Sequence, residues 1–225
     1  MRPRAPVSNM CSVNVDGEVG MEGVQANERL QDGLQCATDG AGPLLQRDYW
    51  ALIERSRYTP EEVMEFVSAR FPEFPPEALV VFERLGGGDG PLEVGEELKV
   101  DIRGAGECRV RIIHRDAQSF TIATLPGHPE AGRITFGAYR NDEGDVIFHI
   151  RSRARSGSGI IYLGFYSGGE AMQTNTWTDF VNNVALTCGE GVIGFIHAET
   201  TVMEKAHEDA DDIQGPTYLA RGDEA

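Results

Sequence analysis

The chain has 225 residues, 40% apolar and 8% aromatic, enough for one sizeable core with tails. Its formal charge at neutral pH is −16, shared between both ends and the middle. An acidic body lacks the basic face that displaces phosphate counterions, which argues against a nucleic-acid partner and equally against an anionic membrane surface. No run of eighteen apolar residues occurs, and no apolar segment follows Arg2 and Arg4, so neither a membrane span nor a signal peptide is expected and the cytoplasm is the expected compartment.

Residues 1–42 are rich in Gly, Asn, Asp and Gln without sustained period and read as a disordered extension. Residues 43–203 read as a single domain, and 204–225 as an acidic disordered tail. Order is expected from "LLQRDYWALIERSRY", a first strand. Thr59-Pro60-Glu61-Glu62 then offers an N-cap, a proline at the first helical position and a glutamate at N3, so a short helix starts there and stops at Phe71-Pro72. From "ALVVFERL" onward the period changes to two. Five or six antiparallel strands follow: "ELKVDIR", "ECRVRIIH", "SFTIATL", "RITFGAYR" and "DVIFHIRSRAR", with Asn141–Gly144 as a hairpin loop. In the last of these, Val146, Phe148 and Ile150 alternate with His149, Arg151, Arg153 and Arg155. That alternation predicts one covered face and one wet face. After "IIYLGFY", Ser167-Gly168-Gly169-Glu170 opens a long helix with Met172, Trp177, Phe180, Val181, Val184 and Cys188 on one stripe and Gly189 as its C′ residue. "GVIGFIHAETTVM" is one more candidate strand.

This order predicts an α+β fold in which a curved antiparallel sheet grips a long C-terminal helix, the helix-grip arrangement of START-like and polyketide-cyclase-like proteins. Another α+β sandwich is the rival. From Phe120 to about Ala185 the chain also resembles an uncharacterised bacterial and plant family, one of the domain-of-unknown-function groups. That family is marked by a Leu-Pro-Gly-His-Pro-Glu-x-Gly turn, a strand bearing Ser-Arg-Pro and a closing helix. The turn is intact at Leu125–Gly132, and the second feature appears as Ser152-Arg153-Ala154. Arg133 stands where the family continues with Glu, so no acidic role carries over there. The resemblance implies a START-like fold and brings no established activity.

Chemistry-bearing motifs are sparse. Cys11, Cys36, Cys108 and Cys188 form no C-x-x-C pair, and the five histidines show no metal-ligand spacing. Gly86–Gly90 lacks both the dinucleotide fingerprint and a Walker lysine, and Ser158 is not in G-x-S-x-G. No metal or cofactor is expected. Three readings stay open. In the first, a small apolar or amphipathic molecule binds between sheet and last helix, lined by Phe136, Phe148, Met172, Trp177 and Phe180, with Gln173 or His128 fixing its orientation. In the second, a cyclase- or isomerase-type enzyme uses His128 as general acid–base, assisted by Glu130 two residues on. In the third, Arg151, Arg153 and Arg155 present a strand to an acidic partner in a non-catalytic interaction module. On this reading His149 is a surface histidine, and oligomeric state is left open.

Overall fold

A computed structural model describes residues 33–86, 88–157 and 169–203. Its elements are β1 (Ala41–Ile53), α1 (Pro60–Ala69), β2 (Val80–Arg84), β3 (Glu97–Ile102), β4 (Gly106–Arg115), β5 (Ser119–Thr124), β6 (Glu130–Arg140), β7 (Val146–Ser156), α2 (Gly169–Cys188) and β8 (Val192–Val202). The strands form one eight-stranded sheet in the order β2-β3-β4-β5-β6-β7-β1-β8, and every pairing is antiparallel. Register shifts in β1 and β4 insert the extra residues that bend such a sheet. The fold is the expected α+β sheet with its long helix near the C-terminus.

Local chemistry explains the boundaries. Thr59 Oγ1 accepts the Glu62 N–H at 3.3 Å while the Glu62 carboxylate accepts the Thr59 N–H at 2.8 Å, with Pro60 opening α1. The helix buries Val63, Met64 and Val67, and the chain then delivers Phe71 to the centre of the core. Phe71 meets Phe82, Phe120 and Phe136 edge-on at 5.1–5.7 Å. From α2, Phe180 stacks on Phe148 at 5.9 Å, and Val181, Val184 and Cys188 fill in behind it. The Cys108 and Cys188 thiols behave as small apolar groups, burial pushing their pKa values up to about 12 and about 11.

Three expectations need correction. The fold begins before residue 43: a 3-10 turn at Ala37–Asp39 leads directly into β1, and Gln35 is bonded into the sheet. Gly189 does not adopt a left-handed C′ conformation, since its φ is not positive. Glycine is needed there because a Cβ would lie 2.4 Å from the Glu54 carbonyl oxygen. Most consequentially, the second face of β7 is not wet. Ile147 and His149 are buried and Arg151 nearly so, because β1 places Asp48 directly across from Arg151. The Asp48 carboxylate accepts from His149 Nε2 at 2.7 Å and from Arg151 Nε at 2.5 Å, and Tyr139 Oη lies 3.2 Å from His149 Nδ1. Burial alone would raise the Asp48 pKa, but the His149 hydrogen bond and the Arg151 charge hold it at about 2. His149 is thus an interior residue of a polar network. The expected cap at Ser167–Gly168, the apolar "IIYLGFY", residues 1–32 and the tail 204–225 lie outside the described residues.

Candidate functional site

The Leu125–Gly132 turn sits where β5 hands over to β6. His128 N donates to Leu125 O at 3.1 Å, and Gly127 at φ +96° follows Pro126, which makes a type II turn with proline and glycine at the two positions that require them. His128 Nδ1 lies 3.0 Å from both the N–H and the carbonyl oxygen of Glu130, so the ring is tied to that residue's backbone. Gly132, at φ +152°, passes so close to β7 that a Cβ would stand 2.2 Å from Arg153 O. The turn is clamped by Gln35. Its Nε2 donates to His128 O and Glu130 O at 2.9 and 2.8 Å, and its Oε1 accepts from Gly127 N at 3.0 Å. Thr124 Oγ1 completes the clamp by donating to Gln35 O at 2.9 Å and accepting from Gly132 N at 3.0 Å.

Proline, glycine and histidine in this motif therefore serve backbone geometry. The side chain left over is that of Glu130. Its carboxylate does not touch the imidazole; it meets Arg47 Nη1 at 3.3 Å and accepts a hydrogen bond from Gln173. The expected His128–Glu130 side-chain pair is not formed. Burial drives the Glu130 pKa up, and the Arg47 charge and the Gln173 hydrogen bond only partly offset it. Burial pushes the His128 pKa down to about 4, so the ring is neutral at pH 7.

Beside Glu130 is a cavity of about 60 Å³ between the sheet and α2. Val110, Ile122, Ile134 and Trp177 form its apolar wall, and His128, Glu130 and Ser152 its polar end. Arg47 is paired with Ser152 across β1 and β7 and has the same inward parity as Tyr49, Ala51 and Ile53. Of the expected lining residues, Trp177 reaches the cavity. Phe136, Phe148 and Phe180 are fully buried and pack against one another in the core, while Met172 is half-buried outside the wall. Gln173 reaches the site through Glu130. The residues that sequence reasoning missed are Arg47 and Gln35.

The cavity and the turn fall within one recognisable stretch. Residues 81–181 match the family described as domain of unknown function (DUF1990). That stretch runs from β2 into α2 and contains the Leu-Pro-Gly-His-Pro-Glu-x-Gly turn, so the resemblance drawn from the turn, to a family without assigned activity, agrees with the match. No curated protein matches the chain. Similar solved structures include norcoclaurine synthase from Thalictrum flavum, in complex with dopamine and hydroxybenzaldehyde: 11% identity, 66% of this chain and 92% of that one covered, TM-score 0.46. Ginseng major latex-like protein 151 from Panax ginseng is 13% identical over 65% of this chain and 99% of its own, with TM-score 0.43. A hypothetical protein from Helicobacter pylori is 5% identical over 63% and 86%, with TM-score 0.48. At these scores the architecture rests on the element order of this chain itself. Among the described residues no helix is long and apolar enough to cross a membrane, and no cluster of His, Cys, Asp and Glu has the makings of a metal site.

Proposed function

We propose that the protein binds a small amphipathic molecule between the sheet and α2, its apolar body against Val110, Ile122, Ile134 and Trp177 and its polar end at Glu130. The observation that carries this reading is a carboxyl group, tethered by Arg47 and Gln173, at the polar end of a cavity whose opposite wall is apolar. A glutamate serving stability alone would be placed in water, since burying it has a large desolvation penalty. Its size limits the ligand. About 60 Å³ holds a few waters or a short aliphatic group, well below the roughly 300–1,000 Å³ of pockets for drug-sized ligands. The acidic body favours a small molecule over a nucleic acid. Methyl-labelled NMR against a library of short-chain amides, alcohols and ketones tests the reading. Shifts centred on Val110, Ile122 and Ile134 support it, and a library that moves none of these methyls overturns it.

A second reading, acid–base catalysis, is favoured by one observation: a cavity-lining carboxylate whose proton affinity is raised by burial. It assigns proton transfer to Glu130 rather than to His128, whose Nδ1 is already engaged by the backbone. Deuterium exchange at the α-carbon of 2-butanone, accelerated by the wild type and not by Glu130→Gln, would establish it. Exchange at the buffer rate with both proteins removes it.

A further inference from the structure

The two edges of the sheet are built differently. At one edge β2 spans only five residues, Val80–Arg84, and carries Glu83 and Arg84, a length and charge that discourage pairing with another chain. At the other edge β8 runs for eleven residues, Val192–Val202, without a lysine, arginine or proline, and its one acid is Glu199. His197 to Val202 pair with β1 in unbroken register, and from Ala198 to Val202 every residue is exposed, so both faces of the strand are uncovered there. Phe195 is 69% and Val202 63% exposed. The His197 ring stacks on Trp50 at 3.6 Å and meets Phe195 at 4.5 Å, so a row of rings that starts on β1 ends on an open Phe195. A long edge with exposed apolar side chains is a template for another strand.

Glu199 identifies the occupant. β1 places Asp48 directly opposite it, a like charge already committed to His149 and Arg151, and Glu199 forms no ion pair among the described residues. Two residues earlier on the same face stands His197, whose ring N–H is a donor for a carboxylate. We propose that a second copy of this chain pairs antiparallel along β8, with Ala198 on the two-fold axis, so that the eight-stranded sheet continues into the copy. In that register each Glu199 faces His197 of the second copy, each Phe195 faces Thr201, and the small Ala198 side chains meet at the centre. The neighbouring registers are worse. With His197 on the axis Glu199 faces Phe195, with Ile196 on the axis it faces Ile193, and with Glu199 on the axis the two carboxylates face each other. The charge of −16 on each copy opposes association, so added salt strengthens it.

Sedimentation equilibrium of the full chain in moderate salt, over about two decades of micromolar concentration, is expected to move from 24.6 kDa toward twice that mass. Ala198→Lys sets two lysines face to face at an exposed position and is expected to raise the dissociation constant at least tenfold with an unchanged melting profile. Cysteine substitutions fix the register. Residues opposite one another across antiparallel strands lie within disulfide reach, so Ala198→Cys is expected to give a covalent dimer on mild oxidation, above the background set by the wild type's own cysteines. Thr200→Cys, also exposed, falls four residues from its counterpart, roughly 13 Å, and is expected to give none. A monomer at every concentration overturns the proposal. So does a dimer that Ala198→Lys leaves equally tight, or one linked by Thr200→Cys and not by Ala198→Cys. The wild-type mass and the two cysteine variants decide the matter even if the lysine variant fails to fold.

Discussion

Held neutral inside the turn, His128 should make the fold acid-labile in a way one substitution can remove. The folded pKa is about 4 against an ordinary value of 6.5, with burial as the cause. A depressed pKa contributes stability that is fully present above the unfolded value and is lost as pH falls through the folded one. By linkage, relative to pH 8 the loss is about 2 kcal/mol at pH 5 and about 3 kcal/mol at pH 4. Carboxylates titrate over the same range, so the quantity to measure is the difference from His128→Asn. An asparagine oxygen can accept the N–H two residues on, as Nδ1 does, but has no proton to gain. Urea unfolding followed by tryptophan fluorescence at pH 8, 5 and 4 gives the comparison. At pH 8 the two proteins should agree within about 1 kcal/mol, and by pH 4 the gap should have moved by about 3 kcal/mol in favour of asparagine. His128→Ala, which orphans the Glu130 N–H, should lose about 1–3 kcal/mol already at pH 8. A wild-type-to-asparagine gap that does not change with pH would refute the buried, backbone-bonded histidine.

Gly132→Ala forces a Cβ against the β7 backbone in a positive-φ conformation and should destabilise by about 3 kcal/mol or more, visible as a collapse of the urea midpoint. Gln35→Ala removes three hydrogen bonds from the turn and should lose about 2 kcal/mol, with faster amide exchange at Gly127; an unchanged protein would show that the fold does not depend on residues before 43. Arg47→Met strips Glu130 of its cation. It should destabilise by about 3 kcal/mol while the carboxyl is ionised and by less as falling pH protonates it, and a loss that does not change with pH would contradict a buried pair. Asp48→Ala leaves Arg151 buried without its carboxylate and should cost about 3–5 kcal/mol in thermal or urea unfolding, whereas a surface role would leave stability within about 0.5 kcal/mol.

Most of the architecture was legible because it is written locally. Thr59 to Glu62, the Asn141–Gly144 hairpin and the period-two strands each carry their signal within a few residues. Gln35 carries none: its bonds are to groups 89–95 positions away, in a segment without apolar period. Arg47 did leave a mark, a charged residue at the core parity of Tyr49, Ala51 and Ile53, which asks for a buried counter-charge. The polar face of β7 misled because alternation reports polarity, not exposure; whether such a row is solvated depends on what the neighbouring strand places opposite, here Asp48. In the turn, the histidine drew attention by its residue type. Its role is to hold the backbone that aims Glu130, and only the tertiary packing of β1 and α2 brings Arg47 and Gln173 there.

The most direct test is to measure intermolecular NOEs from isobutyramide to a methyl-labelled sample. The account predicts contacts from the ligand's methyl groups to Val110, Ile122 and Ile134. Contacts confined to the outer surface, such as exposed Phe195 and Val202, or none at all, would contradict it.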